Sequence, residues 1–356
     1  MAADETVRMT LPACRDLCKR ALEASGLCPA SAGHVADAIT AAERDEARSH
    51  GLFRLPGFCR SLRSGRVPGD AIPQVHDRGP GVVHVDAAGV FSPVAFTAGL
   101  PVLVEKAWRQ GVAVLSIANS LHFSALWWEA EILAAEGLIA LVFVNSLAFM
   151  APHGGSKRVF GTNPMAFAWP RAADLVPLVW DQSSSVMSRG DMQLALLGGR
   201  EIPLGAAINA EGNPTTNPAE GLAGAQCPFG GAKGSNIAIM VELLAAGLTG
   251  GTLSADTPVP SEANHPGGAP TENGELIIAI NPAHFPGDTA LAAERVCERV
   301  LGQAASLARL PSARRHAARE RTATAGIYVA RPLYDTIQTF LQPVATAPRF
   351  EPVFEN

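Results

Sequence analysis

The spacing of apolar side chains changes along the chain, and this change restricts the fold more than any other feature. Residues 11–62 carry apolar residues at the three-to-four spacing of amphipathic helices. From Val82 onward, short apolar runs of strand length alternate with helical stretches, first 82–85, then 93–109, then 112–117. A strand, a helix and a strand in this order are typical of a β–α–β unit. We therefore predict a mixed α/β protein with a helical N-terminal segment.

Glycine and proline favour turns and mark where these elements end; the chain contains 34 glycines and 27 prolines. We predict helices between Thr10 and Gly26 and over 31–48, 52–62, 93–109, 125–135, 235–248 and 289–307. We predict strands over 82–85, 112–117, 138–144, 165–169, 177–180 and 275–280. Residues 66–80 are predicted to be a boundary loop, and the Gly-, Asn- and Pro-rich residues 198–227 a long surface excursion.

Composition excludes several classes of protein. With 356 residues, of which 47% are hydrophobic and 17% charged, the chain can bury a large core in two or three domains, so it is neither a disordered tail nor a coiled coil. The chain has 28 lysines and arginines and 33 aspartates and glutamates, so its formal net charge at pH 7 is −5. A chain with this negative net charge and two tyrosines offers neither a basic surface for the phosphates of nucleic acid nor an obvious surface on which bases stack.

The cysteines and the termini restrict the compartment. No Cys-x-x-Cys pair is present, which disfavours both a structural zinc site and a disulfide framework. Asp4 and Glu5 stand where a secretory signal would carry basic residues. The two most apolar windows, 137–150 and 237–248, contain polar residues and are too short to span a bilayer. We expect a cytoplasmic protein with no metal, no nucleic-acid partner and no membrane association.

The richest glycine cluster is Gly230-Gly231-Ala232-Lys233-Gly234-Ser235, at the start of a predicted helix. It matches neither the Gly-x-Gly-x-x-Gly spacing of common dinucleotide-binding loops nor the residue order of a P-loop. Unpaired N–H groups at a helix start, together with Lys233, suit a phosphate or pyrophosphate. An ordinary loop-to-helix junction explains the same glycines, so spacing leaves both interpretations open.

His50 and Arg54 lie four residues apart in Ser49-His50-Gly51-Leu52-Phe53-Arg54, so both face one pocket if this segment is helical. A guanidinium fork suits a carboxylate, and an imidazole can move a proton at a carbon that is being reduced or oxidised. The alternative is a histidine at a helix end beside a solvated arginine. A hydrolase triad of Ser49, His50 and Asp191 has little support, because no Gly-x-Ser-x-Gly is present and adjacent side chains are not expected to face one another.

Three further polar positions follow predicted strands or close the chain. His122 follows the strand 112–117, where ligand sites collect, although a buried core histidine is the alternative. Asp181 and Asp191 flank a polar run that is able to hold a ribose; Asp191 is also placed to orient an imidazole or to cap a helix. The basic residues within 311–321 either neutralise a phosphate or form the polar face of an exposed helix.

Taken together, five segments resemble the malate/L-lactate dehydrogenase type 2 family of NAD(P)-dependent oxidoreductases, which is distinct from the Rossmann lactate and malate dehydrogenases. They are Ser49 to Arg54, His122-Phe123-Ser124-Ala125-Leu126-Trp127, Phe160-Gly161-Thr162-Asn163-Pro164, Asp181 to Asp191, and Pro228 to Ser235. The resemblance extends over residues 11–321. The second motif and Met187-x-x-Gly190-Asp191 are most similar to the members that reduce Δ1-piperidine-2-carboxylate and Δ1-pyrroline-2-carboxylate to L-pipecolate and L-proline with NADPH.

The resemblance implies a non-Rossmann α/β (α+β) fold with a central, largely antiparallel sheet, flanking helices and a helical outer domain. It implies three units. Residues 1–70 and 285–356 form the outer domain from both chain ends, 75–120 an α/β segment on the substrate side, and 121–284 the cofactor-binding domain. It also implies a homodimer with the active site near the interface.

The resemblance further implies roles for single residues. His50 would be the acid/base with Ser49 and Asp191 in its relay, and Arg54 would grip the substrate carboxylate. His122 and Thr162 are also expected at the substrate. The cofactor, NADPH in preference to NADH, is expected to contact His122, Phe123, Ser124, Ala125, Leu126, Asp181, Ser183, Ser184, Ser185, Lys233, Gly234, Arg314 and Arg315.

Three positions depart from the pattern of the ketimine reductases. Leu121 stands where they tend to have a second histidine, Ala232 where they have a histidine or an aromatic residue, and Gln182 where they have an apolar one. Leu121 and Ala232 remove polar or stacking surface near the expected position of the substrate or nicotinamide ring. Two alternatives therefore stand beside ketimine reduction: a 2-hydroxy-acid dehydrogenase acting on malate, lactate, ureidoglycolate or a sugar acid, and a cofactor-binding protein without catalysis.

Overall fold

The computed structural model describes residues 5–121, 124–172, 175–257, 273–303 and 308–342. Its helices are α1 Leu11–Ala24, α2 Pro29–Arg44, α3 Leu55–Arg63, α4 Ser92–Gln110, α5 Trp127–Ala135, α6 Arg189–Leu197, α7 Pro218–Ala223, α8 Ala232–Glu242, α9 Thr289–Leu301, α10 Ala313–Ala325 and α11 Arg331–Gln338. Its strands are β1 Thr6–Met9, β2 Gln74–Gly79, β3 Val82–Asp86, β4 Val112–Ser120, β5 Ile139–Val144, β6 Met165–Trp169, β7 Leu178–Gln182, β8 Ala207–Ile208, β9 Pro214–Thr215, β10 Ala225–Gln226, β11 Asn273–Ile280 and β12 Ile327–Ala330.

A seven-stranded sheet in the order β2-β3-β4-β11-β5-β6-β7 forms the centre of the fold. Neighbouring strands are antiparallel except β3 and β4, which are parallel and joined by α4. The parallel pair confirms the β–α–β unit predicted from residues 82–117. The rest of the sheet confirms the largely antiparallel, non-Rossmann arrangement with flanking helices.

Strand β11 shows how the sheet buries both of its faces. Ile277 and Ala279 point into the main core with α4 and α5, whereas Leu276 and Ile278 point to the opposite face, where α8 packs. Alternation along a strand places successive side chains on opposite faces, so an almost continuous apolar run is required when both faces are covered. The main core continues from the sheet into α1, α2 and α3.

The two chain ends meet on the outside of these helices. Strand β1 pairs antiparallel with β12, and α11 packs against α3. Helix α10 is docked by Arg319, which donates to buried Asp45 at 2.7 and 2.6 Å and also to Glu131. The basic segment 311–321 is therefore not only the polar face of an exposed helix, because its Arg319 forms ion pairs that hold α10 against the rest of the fold. The division into 1–70 with 285–356, 75–120 and 121–284 stays a prediction.

Two loop predictions were wrong. Residues 66–80 include the edge strand β2, which the sequence hides because both faces of this strand are largely exposed and its side chains are mostly polar. Residues 198–227 form a small sheet in the order β10-β8-β9 together with α7. This unit shares a small core with α6, built from small and medium side chains that give little periodic signal: Met192, Ala195, Ile202, Ala206 and Ala207.

Helix boundaries differ from the predictions by a few residues. Helix α2 begins at Pro29, and α8 begins at Ala232 and continues into a π-helical turn, Leu243–Gly247. The helix predicted over 289–307 ends at Leu301, and residues 304–307 lie outside the described part. In the residues that are described, no helix is long and apolar enough to cross a membrane.

Candidate active site

The segment that carries His50 and Arg54 is held by a buried glutamate. It consists of two short 3₁₀ turns, Arg48–His50 and Leu52–Arg54, which connect α2 to α3. Glu43, at the end of α2, accepts a hydrogen bond from the Leu52 N–H at 2.7 Å. Gly51 is required between the turns because a Cβ atom there would collide with the Glu43 carboxylate. Burial raises the pKa of Glu43, and its hydrogen bond to Leu52 acts in the opposite direction.

The two turns bring His50 and Arg54 to one cavity. Both side chains are accessible to solvent, yet dense protein surrounds them, as at the floor of an open cleft. Ser124 and Ala125 line the same cavity, whose volume of about 10 Å³ holds no more than a water, so a ligand would lie in the open cleft above it. Its apolar wall is formed by Val35, Ala38, Ile39, Phe58 and Pro93. The structure thus brings together residues that the sequence predicted separately for substrate and cofactor.

Ser49 and His50 face each other, which corrects the expectation that adjacent side chains do not meet. The Ser49 hydroxyl lies 3.1 Å from His50 Nδ1. The contact is possible because the segment is a tight turn and the short serine side chain folds back onto the nearer ring nitrogen. This hydrogen bond orients the imidazole and directs Nε2 away from Ser49.

His50 is neutral in the free protein at neutral pH. Desolvation by the surrounding protein and the positive charge of Arg54 lower the pKa of His50 to about 4, whereas Asp191 acts in the opposite direction. A bound carboxylate would neutralise Arg54 and remove its effect. The pKa of the imidazole would then rise, so that the ring is able to hold a proton when substrate is present.

The first prediction concerns this titration. In an NMR pH titration, we expect the His50 ring of the free protein to titrate at about 4. We expect the pKa to be higher in Arg54→Ala, because that variant lacks the neighbouring positive charge. An Arg54→Ala protein whose His50 titrates at the same pH as in the wild type would show that the two side chains are not electrostatically coupled.

Asp191 lies in the first turn of α6, close to the Ser49–His50 pair. Ser188 caps this helix, since its hydroxyl accepts from the Asp191 N–H at 3.0 Å and donates to the Asp191 carboxylate at 2.8 Å. A Cβ atom placed on Gly190 would lie 3.6 Å from the Ser49 side chain. The carboxylate therefore supports the helix start and acts on the His50 ring through its charge.

A second cavity, of about 410 Å³, joins Asp181 to the basic segment that includes Arg314 and Arg315. Arg315 stacks on the Trp127 ring, 4.4 Å from its centroid, and donates to the Val179 carbonyl at 3.1 Å. Its Nη1 atom is buried and has no hydrogen-bond partner among the residues described. Burial raises the pKa of Asp181, and the charge of Arg315 opposes that rise.

The serine run after Asp181 is tied to neighbouring loops. Ser184 donates its hydroxyl to the Asn163 carbonyl at 2.8 Å, and its N–H donates to the Thr162 carbonyl at 2.7 Å. Ser185 donates to the Met187 carbonyl at 2.8 Å, and the Ser183 and Ser185 hydroxyls are 3.0 Å apart. The hydroxyls of Ser184 and Ser185 thus fix the loop, and ligand contacts of Ser183 and Thr162 stay predictions.

The glycine cluster lies beside this run. Gly230 and Gly231 have positive φ values of 56° and 62° and turn the chain into α8. Gly234 is required because a Cβ atom there would collide with the Phe229 carbonyl. Lys233 is exposed at the first turn. A cavity of about 460 Å³ borders Gly230 and Gly231, so the loop-to-helix junction and the phosphate interpretation are compatible.

The remaining predicted positions divide into three groups. His122 and Phe123 lie outside the described residues. Leu121 and Leu126 are buried in the main core. The departure at Leu121 therefore does not place an apolar side chain in the cavity. Ala232 is exposed at the start of α8. Where the structure describes the chain, no group of three His, Cys, Asp or Glu side chains is arranged to hold a metal ion.

Sequence reasoning missed two acidic residues behind Ser124. Glu129 on α5 and Glu275 on β11 are fully buried. Ser124, which lines the cavity of His50 and Arg54, donates a short hydrogen bond to Glu129. A signal was present, because Glu129 falls on the apolar stripe of its helix, three residues after Leu126 and four before Leu133.

Comparison with known proteins adds independent information. The sequence profile of the malate/L-lactate dehydrogenase family matches residues 9–338. The Δ1-pyrroline-2-carboxylate/Δ1-piperideine-2-carboxylate reductase of Pseudomonas aeruginosa is 44% identical over 94% of this chain and 100% of its own length. The Δ1-pyrroline-2-carboxylate reductase 1 of Burkholderia ambifaria is 43% identical over 94% of this chain and 98% of its own. The crystal structure of Δ1-piperideine-2-carboxylate reductase from Pseudomonas syringae pv. tomato superposes with a TM-score of 0.89 at 40% identity, covering 94% of this chain and 100% of that one.

Proposed function

Because this chain belongs to the malate/L-lactate dehydrogenase family, we propose that it reduces small cyclic ketimine carboxylates by hydride transfer from a nicotinamide cofactor. The substrates are Δ1-pyrroline-2-carboxylate and Δ1-piperideine-2-carboxylate, and the products are L-proline and L-pipecolate. The observation that carries the proposal is the cavity shared by His50, Arg54 and Ser124. The relatives named above support the choice of substrate.

The residues of this cavity suit a carboxylate next to a carbon–nitrogen double bond. Arg54 would bind the carboxylate with its planar fork and thereby fix the ring. The imidazole of His50, four residues earlier, would face the ring nitrogen and hold or release its proton. Ser49 orients that imidazole through Nδ1, and the negative charge of Asp191 favours its protonated form. Fixing the ring contributes to catalysis because hydride donor and acceptor carbons react at about 3 to 3.5 Å.

The residues present fit a dinucleotide cofactor, which would supply the hydride. Arg315 lines the cavity of Asp181, and a guanidinium there would suit a phosphate oxygen. Arg314 lies at the same cavity. Lys233 and the N–H groups at the start of α8 offer a second anion site. With two arginines available for a further phosphate, we propose NADPH in preference to NADH.

A second prediction tests the cofactor site. We expect Lys233→Ala to weaken NADPH binding by about tenfold, because the variant removes one charge beside the helix start. Fluorescence titration of the reduced nicotinamide measures the Kd, and the same titration with NADH measures the preference. Lys19→Ala, which removes an exposed lysine on α1, is the control. An unchanged Kd in Lys233→Ala would place the phosphates elsewhere.

The substrate is tested with a panel of oxidised compounds. Steady-state kcat/KM values are measured with NADPH for the two cyclic ketimines and for a series of 2-oxo acids. The proposal requires the ketimines to be the preferred substrates. Preference for a 2-oxo acid would identify a 2-hydroxy-acid dehydrogenase, and NADPH binding without turnover of any panel member would identify a non-catalytic binding protein.

We also propose that the protein is a cytoplasmic homodimer. The family resemblance implies the dimer, and the exposed apolar side chains of α6 support it. Leu194, Leu196 and Leu197 are exposed on this helix, which begins beside Ser49. A second copy covering them would close the cleft next to His50, and the mass in solution from light scattering tests this assembly.

A further inference from the structure

Two fully buried glutamates lie behind the cavity, and none of the described cations bonds to either of them. Glu129 and Glu275 are both 0% exposed. Buried carboxylates are normally paired with a positive group, because an isolated buried charge is costly. Among the described residues, the side chains that bond them are hydroxyls: Ser124 donates to Glu129, and Ser92 donates to Glu275 at 2.8 Å. The other carboxyl oxygens, Glu129 Oε2 and Glu275 Oε1, are buried and accept no hydrogen bond from the part of the chain that the structure describes.

These two carboxyl groups cannot both be ionised at neutral pH. Burial raises the pKa of Glu129 to about 7, opposed by the Ser124 hydrogen bond and increased by Asp181. Burial and the negative charge of Glu129 raise the pKa of Glu275 well above its usual range. Neighbouring carboxyl groups in a low-dielectric site share protons and titrate as a pair. Glu275 therefore keeps its proton, and Glu129 gains or loses one near neutral pH.

Ser124 transmits the protonation state of Glu129 to the cavity. Its hydroxyl has a single hydrogen. Ionised Glu129 accepts that hydrogen, so that Ser124 presents only lone pairs to the cavity. Protonated Glu129 donates its own hydrogen to Ser124 Oγ, and the serine hydrogen is then available to a ligand beside Arg54. Protonation also removes a negative charge from the region behind the ligand.

We propose that buried Glu129, which interacts electrostatically with the buried carboxyl group of Glu275, sets through the Ser124 hydroxyl how tightly the cavity of His50 and Arg54 holds a carboxylate. The inference rests on the proposed function for the presence of a carboxylate ligand. Glu129 and Glu275 are positioning residues, since Ser124 alone lies at the cavity.

Among the described residues, the other charged groups around Glu129 are ion-paired or keep one charge state near neutral pH. Asp181 on β7 acts on Glu129 from the sheet, and its own charge is opposed by Arg315. Glu131, on the same helix as Glu129, pairs with Arg319 on α10. Across the cavity, His50 is neutral well above its pKa of about 4, and Arg54 keeps its charge.

The test measures the binding of furan-2-carboxylate, which has the carboxylate and ring size of the proposed substrate but no group that titrates near neutrality. We expect its calorimetric Kd for the wild type to increase on the order of tenfold between about pH 6 and about pH 8.5, as Glu129 loses its proton. In Glu129→Gln, whose amide donates to Ser124 at every pH, we expect the Kd to stay near the wild-type value at low pH. Glu105→Gln, which removes an exposed carboxylate from α4, should follow the wild type.

A second measurement observes the proton directly and needs no ligand. At about pH 8.5, where Glu129 has lost its proton and Glu275 keeps its own, we expect the infrared spectrum of the wild type to contain the carbonyl band of a protonated carboxyl group, and Glu275→Gln to lose it. A wild type without this band, or a Glu129→Gln variant with the pH dependence of the wild type, overturns the inference. Binding of furan-2-carboxylate with the expected pH dependence, but without turnover of any ketimine, would instead reject the proposed function and leave the role of Glu129 intact.

Discussion

Replacing Arg54 by alanine is expected to raise the KM for Δ1-pyrroline-2-carboxylate by about 100-fold, with little change in the Kd for NADPH. Arg54 lines the cavity with His50 and Ser124 and is the cation placed to bind the substrate carboxylate there. Loss of a two-pronged, charge-assisted hydrogen bond costs about 3 kcal/mol, which corresponds to that change in KM. Steady-state kinetics and fluorescence titration of the cofactor give the two values.

Two further variants separate the role of the fork from a loss of charge. Arg54→Lys keeps the charge but not the planar fork, so we expect its KM to lie between those of the wild type and Arg54→Ala. Arg60→Ala removes an exposed arginine from the neighbouring helix α3 and should behave as the wild type. Equal changes of the substrate KM and the cofactor Kd in Arg54→Ala would remove Arg54 from the carboxylate site.

Replacing His50 by alanine is expected to lower kcat by about 10²- to 10⁴-fold, the usual contribution of a general acid or base. Cofactor binding should be retained, because the imidazole is bonded to Ser49 and lies in the substrate cavity. We expect Ser49→Ala to give a smaller loss, since it removes only the hydrogen bond that orients the ring. Rapid-mixing measurements of NADPH oxidation give the rate of the hydride step for each variant.

The control for this variant is His34→Ala, which changes a histidine on α2 that is not part of the cavity. A His50→Ala enzyme with the kcat of the wild type would exclude the imidazole from the reaction. Simultaneous loss of turnover and of NADPH binding would instead indicate that His50 supports the cleft as a whole.

Local sequence patterns were sufficient for the elements that build the site. The β–α–β unit of β3, α4 and β4 was predictable from changes in the spacing of apolar residues, because the buried side chains of each element recur at a regular interval. The sequence Ser49 to Arg54 likewise places His50 and Arg54 one turn apart. The spacing of apolar residues does not predict edge strand β2, because its side chains are exposed on both faces.

Contacts between distant parts of the chain were not predictable in this way. Ser124 meets His50 and Arg54 only because α5 and the turns after α2 pack around the same core. The pairing of Arg319 with Asp45 joins residues from opposite ends of the chain. Glu129 and Glu275 carry no local sign that their carboxyl groups interact, since one lies on a helix and the other on a strand far along the sequence.

The hydride itself tests the central claim most directly. The enzyme is incubated with Δ1-pyrroline-2-carboxylate and NADPH that carries deuterium at both hydrogen positions of nicotinamide C4, and the product is examined by NMR. We predict that deuterium appears at the Cα of L-proline, the carbon next to the carboxylate that we assign to Arg54. L-Proline without deuterium at Cα, or no L-proline from a protein that binds NADPH, would contradict the assignment of this cavity to ketimine reduction.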